Sequence, residues 1–197
     1  MIYSNAIWRP LPFFQPGGMQ PIGVIHHYSA GCGDTWQDLS GQGLSAHFCV
    51  RQDGVIEQYV DTDNVAWHAD NANTYYIGVE HTALPGVCDL NWTQLSASAQ
   101  LSAWISMTYG IPVIRSYGCA FTAGFKAHYD GLEPGCAVWN LRRHHDGIWQ
   151  PDVPWLDANM QAALNRSPMT WNDYAGAVNL NIAYDQYYQY YQYYQYG

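Results

Sequence analysis

The sequence predicts an α/β (α+β) fold, a mixed central β-sheet flanked by helices, and three observations predict it. Short apolar runs of strand character recur at residues 21–30, 44–60 and 75–83. Gln52-Asp53-Gly54 stands between two β-rich runs, which is a hairpin signal. A helical pattern over residues 93–109 then interrupts the strands.

Each element follows from its local residues. Residues 1–20 carry Pro10, Pro12, Pro16, Gly17 and Gly18 and are predicted to be an extended arm. The run after Pro21, ending in His26-His27-Tyr28, is predicted to be a buried strand, and Gly31 to Gly43 a loop. The helix over 93–109 places Leu95, Ala99, Leu101, Trp104 and Ile105 near helical spacing. Thr93 is its expected cap, and Gly110 and Pro112 its stop. Residues 111–118 and 123–131 are further strand candidates. A second helix is expected over 156–167, between Pro154 and Pro168. Residues 168–183 have the composition of a polar linker. Residues 184–197 repeat Tyr-Tyr-Gln without an aliphatic side chain, so they cannot build an ordinary core. A partly ordered sticky tail, a stacking surface for sugar rings and a self-association strand are the readings of that repeat. The expected division is thus an arm (1–20), a main domain (21–167), and a linker with a Tyr/Gln-rich tail (168–197).

Composition narrows the partners. Of 197 residues, 48% are hydrophobic and 12% charged, which is globular rather than disordered. The net charge of −9, with Lys126 the single lysine, repels phosphate and argues against nucleic acid. No apolar run approaches the roughly 20 residues of a membrane helix, so no membrane insertion is expected. The first residues show no basic start followed by an apolar stretch, so the expectation is cytoplasmic synthesis without a signal peptide. Five cysteines with no CxxC pair favour buried thiols, leaving one or two disulfides open.

Eight histidines are many for so acidic a chain. A hydrolytic zinc site needs about three ligands from His, Cys and Asp or Glu, with one position open for water. His26 and His27 end a strand, and alternation lets only one of them face a given site. Glu80 sits inside the apolar run Ile77-Gly78-Val79, where a carboxylate is costly unless paired or working. His128, Cys136, His144 and Asp152 make the C-terminal third dense in ligand-type residues. A satisfied strand-end histidine and a polar surface loop are the plain structural alternatives for these clusters.

Four segments in register, VIHHYSA, SAHFCVRQDGVIEQYV, VAWHADNANTYYIGVEH and the helix ending MTYGIP, resemble the zinc-dependent N-acetylmuramoyl-L-alanine amidases. Those enzymes share a fold with peptidoglycan-recognition proteins and include phage endolysins, which the N-terminal segment resembles most. The resemblance runs from about Pro21 to Asn165. It implies a Zn2+ cofactor, bacterial peptidoglycan as partner, and cleavage between N-acetylmuramic acid and L-alanine. It implies His26 (over His27), His128 and Asp152 as metal ligands and Glu80 as the catalytic carboxylate. It implies that His47, Trp67, His68 and Asn73 line the groove or hold the strand ends. His128 to Asp152 is longer than the family's usual spacing of about eight to ten between the last two ligands, so Cys136 and His144 stay open as replacements. Release from the cytoplasm to the wall is the expected setting. A muropeptide-binding module of the same fold, lacking a ligand, is the alternative function.

Overall fold

Strand β7 (Tyr76–His81) lies near the middle of a six-stranded sheet and sets its geometry. On one side it pairs in parallel with β3 (Gly23–His26), which pairs in parallel with the edge strand β8 (Gly124–Ala127). On the other side it pairs in parallel with β4 (Phe48–Val50). That strand turns back through an antiparallel hairpin into β5 (Ile56–Gln58), and β1 (Ile7–Trp8) closes the second edge. The sheet order is β1-β5-β4-β7-β3-β8. A small antiparallel pair, β2 (Phe14–Gly18) with β6 (Asn64–Ala66), lies apart from it. The computed structural model describes residues 1–118, 121–128, 148–149 and 166–196.

Alternation assigns the faces. Val24, Phe48, Val50, Ile77, Val79, Phe125 and Ala127 point to one side and join one hydrophobic core. Helix α2 (Trp92–Tyr109) covers that side with Leu95, Ala99 and Ile105, and helix α3 (Trp171–Tyr196) packs along α2 through Tyr174 and Val178. The opposite side carries Cys49 and Ile25. Helix α1 (Thr35–Gln42) covers part of it through Leu39, and the rest lies under a cleft.

Local chemistry explains the helix boundaries. The Asp34 carboxylate accepts the Trp36 N–H at 3.1 Å and caps α1, and Gly43 ends it at φ 68°. Asn91, not Thr93, caps α2: its side-chain oxygen accepts the Gln94 N–H at 3.0 Å, so the helix starts before the expected threonine. The stretch expected to be a loop between Gly31 and Gly43 contains α1, because an eight-residue helix shows little apolar periodicity. Of the strand candidate 111–118, only an isolated bridge between Arg115 and Phe125 forms. The helix expected over 156–167 lies outside the described residues but for its last two positions.

The expected arm and the expected linker are built into the molecule more deeply than their composition suggests. The expected arm supplies β1 and β2, and Arg9 grips the α1 cap with a bidentate pair to Asp34 at 2.7 and 2.6 Å. That guanidinium holds the Asp34 carboxyl below its usual range. The expected linker, residues 168–183, is mostly the first half of α3. Its aromatic residues Trp171 and Tyr174 bury against the core, which supplies the apolar face a linker would lack.

Cys32 and Cys88, 56 residues apart, form a disulfide. Cys49 is a buried free thiol, pushed up to about 11 by burial. The disulfide ties the loop after β3 to the segment before α2. Loop-closure entropy for a separation of 56 residues predicts that the Cys32→Ser, Cys88→Ser double variant loses about 4 kcal/mol of stability. Urea denaturation with and without reductant measures this, and equal midpoints would contradict it.

Candidate active site

The parallel register carries three side chains to one place. His26 pairs with Val79 on β7 and with Ala127 on β8. One residue further along each strand stand His27, Glu80 and His128. They share the face opposite the α2 core, at the C-terminal end of the sheet. His27 and His128 have ring centroids 4.5 Å apart and near-perpendicular planes. All three line a cleft of about 1210 Å³ together with Trp67, His68 and Asn73. Strand C-terminal ends are where ligands bind in open α/β sheets.

His26 is not in this cleft. Its ring is fully buried on the helix side, within 5.4 to 6.0 Å (centroid to centroid) of His81, Phe125, Trp149 and Tyr174. Burial and the neighbouring histidines depress its pKa well below the usual value, so it is neutral there. The expectation that His26, rather than His27, faces the site is therefore corrected. The two residues alternate across the sheet, and the register aligns His27, not His26, with Glu80 and His128.

His27 is steered by a second histidine. Its Nε2 lies 3.1 Å from His68 Nδ1. His68 Nε2 lies 3.1 Å from the Tyr76 carbonyl, which can only accept, so that nitrogen carries the proton. In the neutral His68 ring, Nδ1 then accepts, and His27 Nε2–H donates to it. With the His27 ring neutral, Nδ1 is then the nitrogen that can offer a lone pair. Burial keeps His68 neutral by pushing its pKa well down. Gly78 makes this possible, because a Cβ there would sit 2.5 Å from the His68 ring. The glycine of the Ile77-Gly78-Val79-Glu80 run is thus the floor on which His68 lies.

The remaining expected residues divide between lining and support. Trp67 is 41% exposed on the cleft rim. The Asn73 side chain accepts the His68 and Ala69 N–H groups at 2.9 and 2.6 Å and fixes the loop that carries His68. His47 lies beneath the cleft. Its Nδ1 accepts the Gly78 N–H at 3.0 Å and its Nε2 donates to the Asn64 carbonyl at 3.0 Å, joining β4, β6 and β7. Asp152, Cys136 and His144 lie outside the described residues. Among the described residues no three His, Cys, Asp or Glu side chains gather closely enough to hold a metal ion. His27 and His128 could supply two ligands to an ion, and Glu80 lines the same cleft. Buried imidazoles side by side in an acidic chain fit a divalent ion.

The family model for N-acetylmuramoyl-L-alanine amidases matches residues 17–147. The chain belongs to this amidase family. N-acetylmuramoyl-L-alanine amidase A of Achromobacter lyticus is 35% identical over 125 residues, covering 60% of this chain and 67% of the relative. Among solved structures, the hydrolase AmiA of Staphylococcus aureus aligns with a TM-score of 0.66 at 14% identity, over 94% of this chain and 87% of that one. The amidase LysC from Clostridium intestinale aligns with a TM-score of 0.53 at 18% identity, over 65% of this chain and 85% of that one. Those two alignments establish the fold, and the family match gives peptidoglycan amidase activity.

In this amidase, sequence reasoning missed the His68 to His27 contact and the alignment of His27. The register that reveals both depends on which residues pair, and one strand alone does not disclose its partners.

The buried histidines give the amidase a pH limit. The pKa of His47 is held down to about 4, chiefly by burial, while in the unfolded chain it is near the ordinary imidazole value of 6.5. The unfolded state therefore binds protons that the fold refuses, and stability falls as pH drops from 6.5 towards 4. His26 and His68 act in the same direction. Denaturant midpoints should fall steadily across that window and stay level from pH 6.5 to 8. A midpoint that rises on acidification would contradict the neutral assignment.

Proposed function

We propose that the protein is a zinc-dependent N-acetylmuramoyl-L-alanine amidase of the phage endolysin type, cutting peptidoglycan between N-acetylmuramic acid and L-alanine. The observation that carries the reading is the alignment of His27, Glu80 and His128 on three adjacent parallel strands beneath one cleft.

His27 and His128 would hold the ion, with a third ligand from the segment outside the described residues. The resemblance first suggested Asp152 for that place. With His128 in the cleft, the family's short spacing favours Cys136, which follows it by eight positions (136 minus 128), over Asp152 at twenty-four (152 minus 128). Thiolate and imidazole are both zinc ligands, and three protein ligands leave the fourth position open. Bound zinc supplies a Lewis acid that polarises the scissile carbonyl and lowers the pKa of water towards roughly 7.

The chain's own groups do the rest. Glu80 is 8% exposed at the end of β7, where its carboxylate can orient the attacking water and accept its proton. Water oxygen bonds to the lactyl carbonyl carbon, the C–N bond breaks, and Glu80 returns the proton to the departing L-alanine nitrogen. His68 keeps the His27 ring aimed, and the exposed face of Trp67 offers a flat surface for substrate. The Cys32–Cys88 disulfide supports action outside the reducing cytoplasm, after release to the wall.

Glu80→Gln should keep zinc near one per chain yet lower turnover on a muramoyl peptide by about a hundredfold or more. Zinc analysis and product release measured on the same preparation decide it. Loss of the metal in that variant would make Glu80 structural. A wild-type protein that binds muropeptide without cutting it would favour the binding-module alternative.

A further inference from the structure

On the far side of the sheet from the cleft runs a chain of buried hydrogen bonds that the reaction itself does not use. His81 ends β7, and its Nδ1 lies 2.8 Å from the carbonyl oxygen of His27. A carbonyl only accepts, so Nδ1 carries the proton. In the neutral ring Nε2 then accepts, and Ser98 Oγ, 2.8 Å away, donates to it. Having given its hydrogen to His81, Ser98 accepts from the Tyr174 hydroxyl at 2.8 Å. Tyr174 oxygen in turn accepts from Ser102 at 2.8 Å. With the His81 ring neutral, one donor direction runs along the chain, from Ser102 and Tyr174 through Ser98 and His81 to the backbone of His27.

Position and burial make this more than a packing detail. His81, Ser98 and Ser102 are fully buried, and Tyr174 is 1% exposed. Ser98 and Ser102 stand one turn apart on α2 and take the Tyr174 hydroxyl between them. Burial pushes the phenol pKa up, so Tyr174 stays a donor at any working pH. Meanwhile the His27 N–H donates to the Val79 carbonyl at 2.9 Å. The His27 backbone is thus held at its N–H by β7 and at its C=O by His81, on both sides of the Cα, while His68 holds its ring.

We propose that His81, Ser98 and Tyr174 are positioning residues for His27, and that α3 is thereby part of the machinery of the site rather than an appendage. The claim rests on His27 being a metal ligand. A ligand held to within a fraction of an ångström needs its backbone as well as its ring fixed, and partners one step behind a ligand typically matter tenfold or more in metal affinity or activity.

The test compares Tyr174→Phe, which removes one hydroxyl and keeps the ring, with His81→Leu and His81→Asn. The asparagine amide places an N–H where Nδ1 stood. Three readouts are taken on full-length protein whose folding is checked by circular dichroism. They are the zinc dissociation constant by competition with a chromophoric chelator, kcat and KM on a muramoyl peptide, and the 15N resonances of the His27 imidazole in the metal-free protein. Tyr174→Phe and His81→Leu are expected to weaken zinc binding about tenfold and lower kcat with KM within about twofold. They should also shift the His27 resonances, and His81→Asn should recover most of each loss. If His81→Asn loses as much as His81→Leu, or if folded Tyr174→Phe matches wild type in all three readouts, the proposal is overturned. Wild type that binds no zinc overturns the ligand reading instead. The His27 resonances then still report on positioning, and no change in them overturns it.

Discussion

Residues at one register position of a parallel sheet point the same way, and neighbouring strands lie about 4.8 Å apart. Pairing β7, β3 and β8 in parallel therefore turns three separated segments into one row of side chains at the sheet's end. His27, Glu80 and His128 occupy that row, and the cleft exists because α1 covers only part of that face. A slip of one residue in β3 would send His27 into the core and His26 into the cleft. The core opposes such a slip, because Val24 and His26 fill space against α2 and α3, and Gly23 packs against the Gly124 carbonyl with no room for a Cβ.

Buried imidazoles are costly when charged, and burial keeps His26, His47 and His68 neutral. Carbonyl groups place the ring protons. Asn64 fixes His47, Tyr76 fixes His68 and His27 fixes His81, since each oxygen can only accept. Once those protons are placed, the direction of the neighbouring bonds follows. The same logic gives His68 its close seat on Gly78, where any larger residue would push the ring away from His27.

Much of the architecture was legible in the sequence. Apolar runs marked β3, β4, β5 and β7, the Asp53-Gly54 turn marked the hairpin, and periodicity marked α2. Glu80 stood out as a carboxylate within an apolar run and the family resemblance pointed to His128, and both line the cleft. The choice between His26 and His27 was not legible, because alternation says that they differ and only cross-strand pairing says which faces the cleft. Helix α3 was hidden because the few apolar residues of its buried face, Trp171, Tyr174, Val178 and Ile182, are spaced within a polar composition. Its partners, Ser98 and Ser102, look like exposed helix positions until Tyr174 meets them.

The central claim is that His27 and His128, not His26, hold a divalent ion beside Glu80. A crystal of the zinc-loaded protein, with anomalous data collected at the zinc edge, tests it most directly. The account predicts one peak about 2.0–2.1 Å from a ring nitrogen of each of His27 and His128. A peak on His26, or a zinc-loaded crystal with no peak in the cleft, would contradict it.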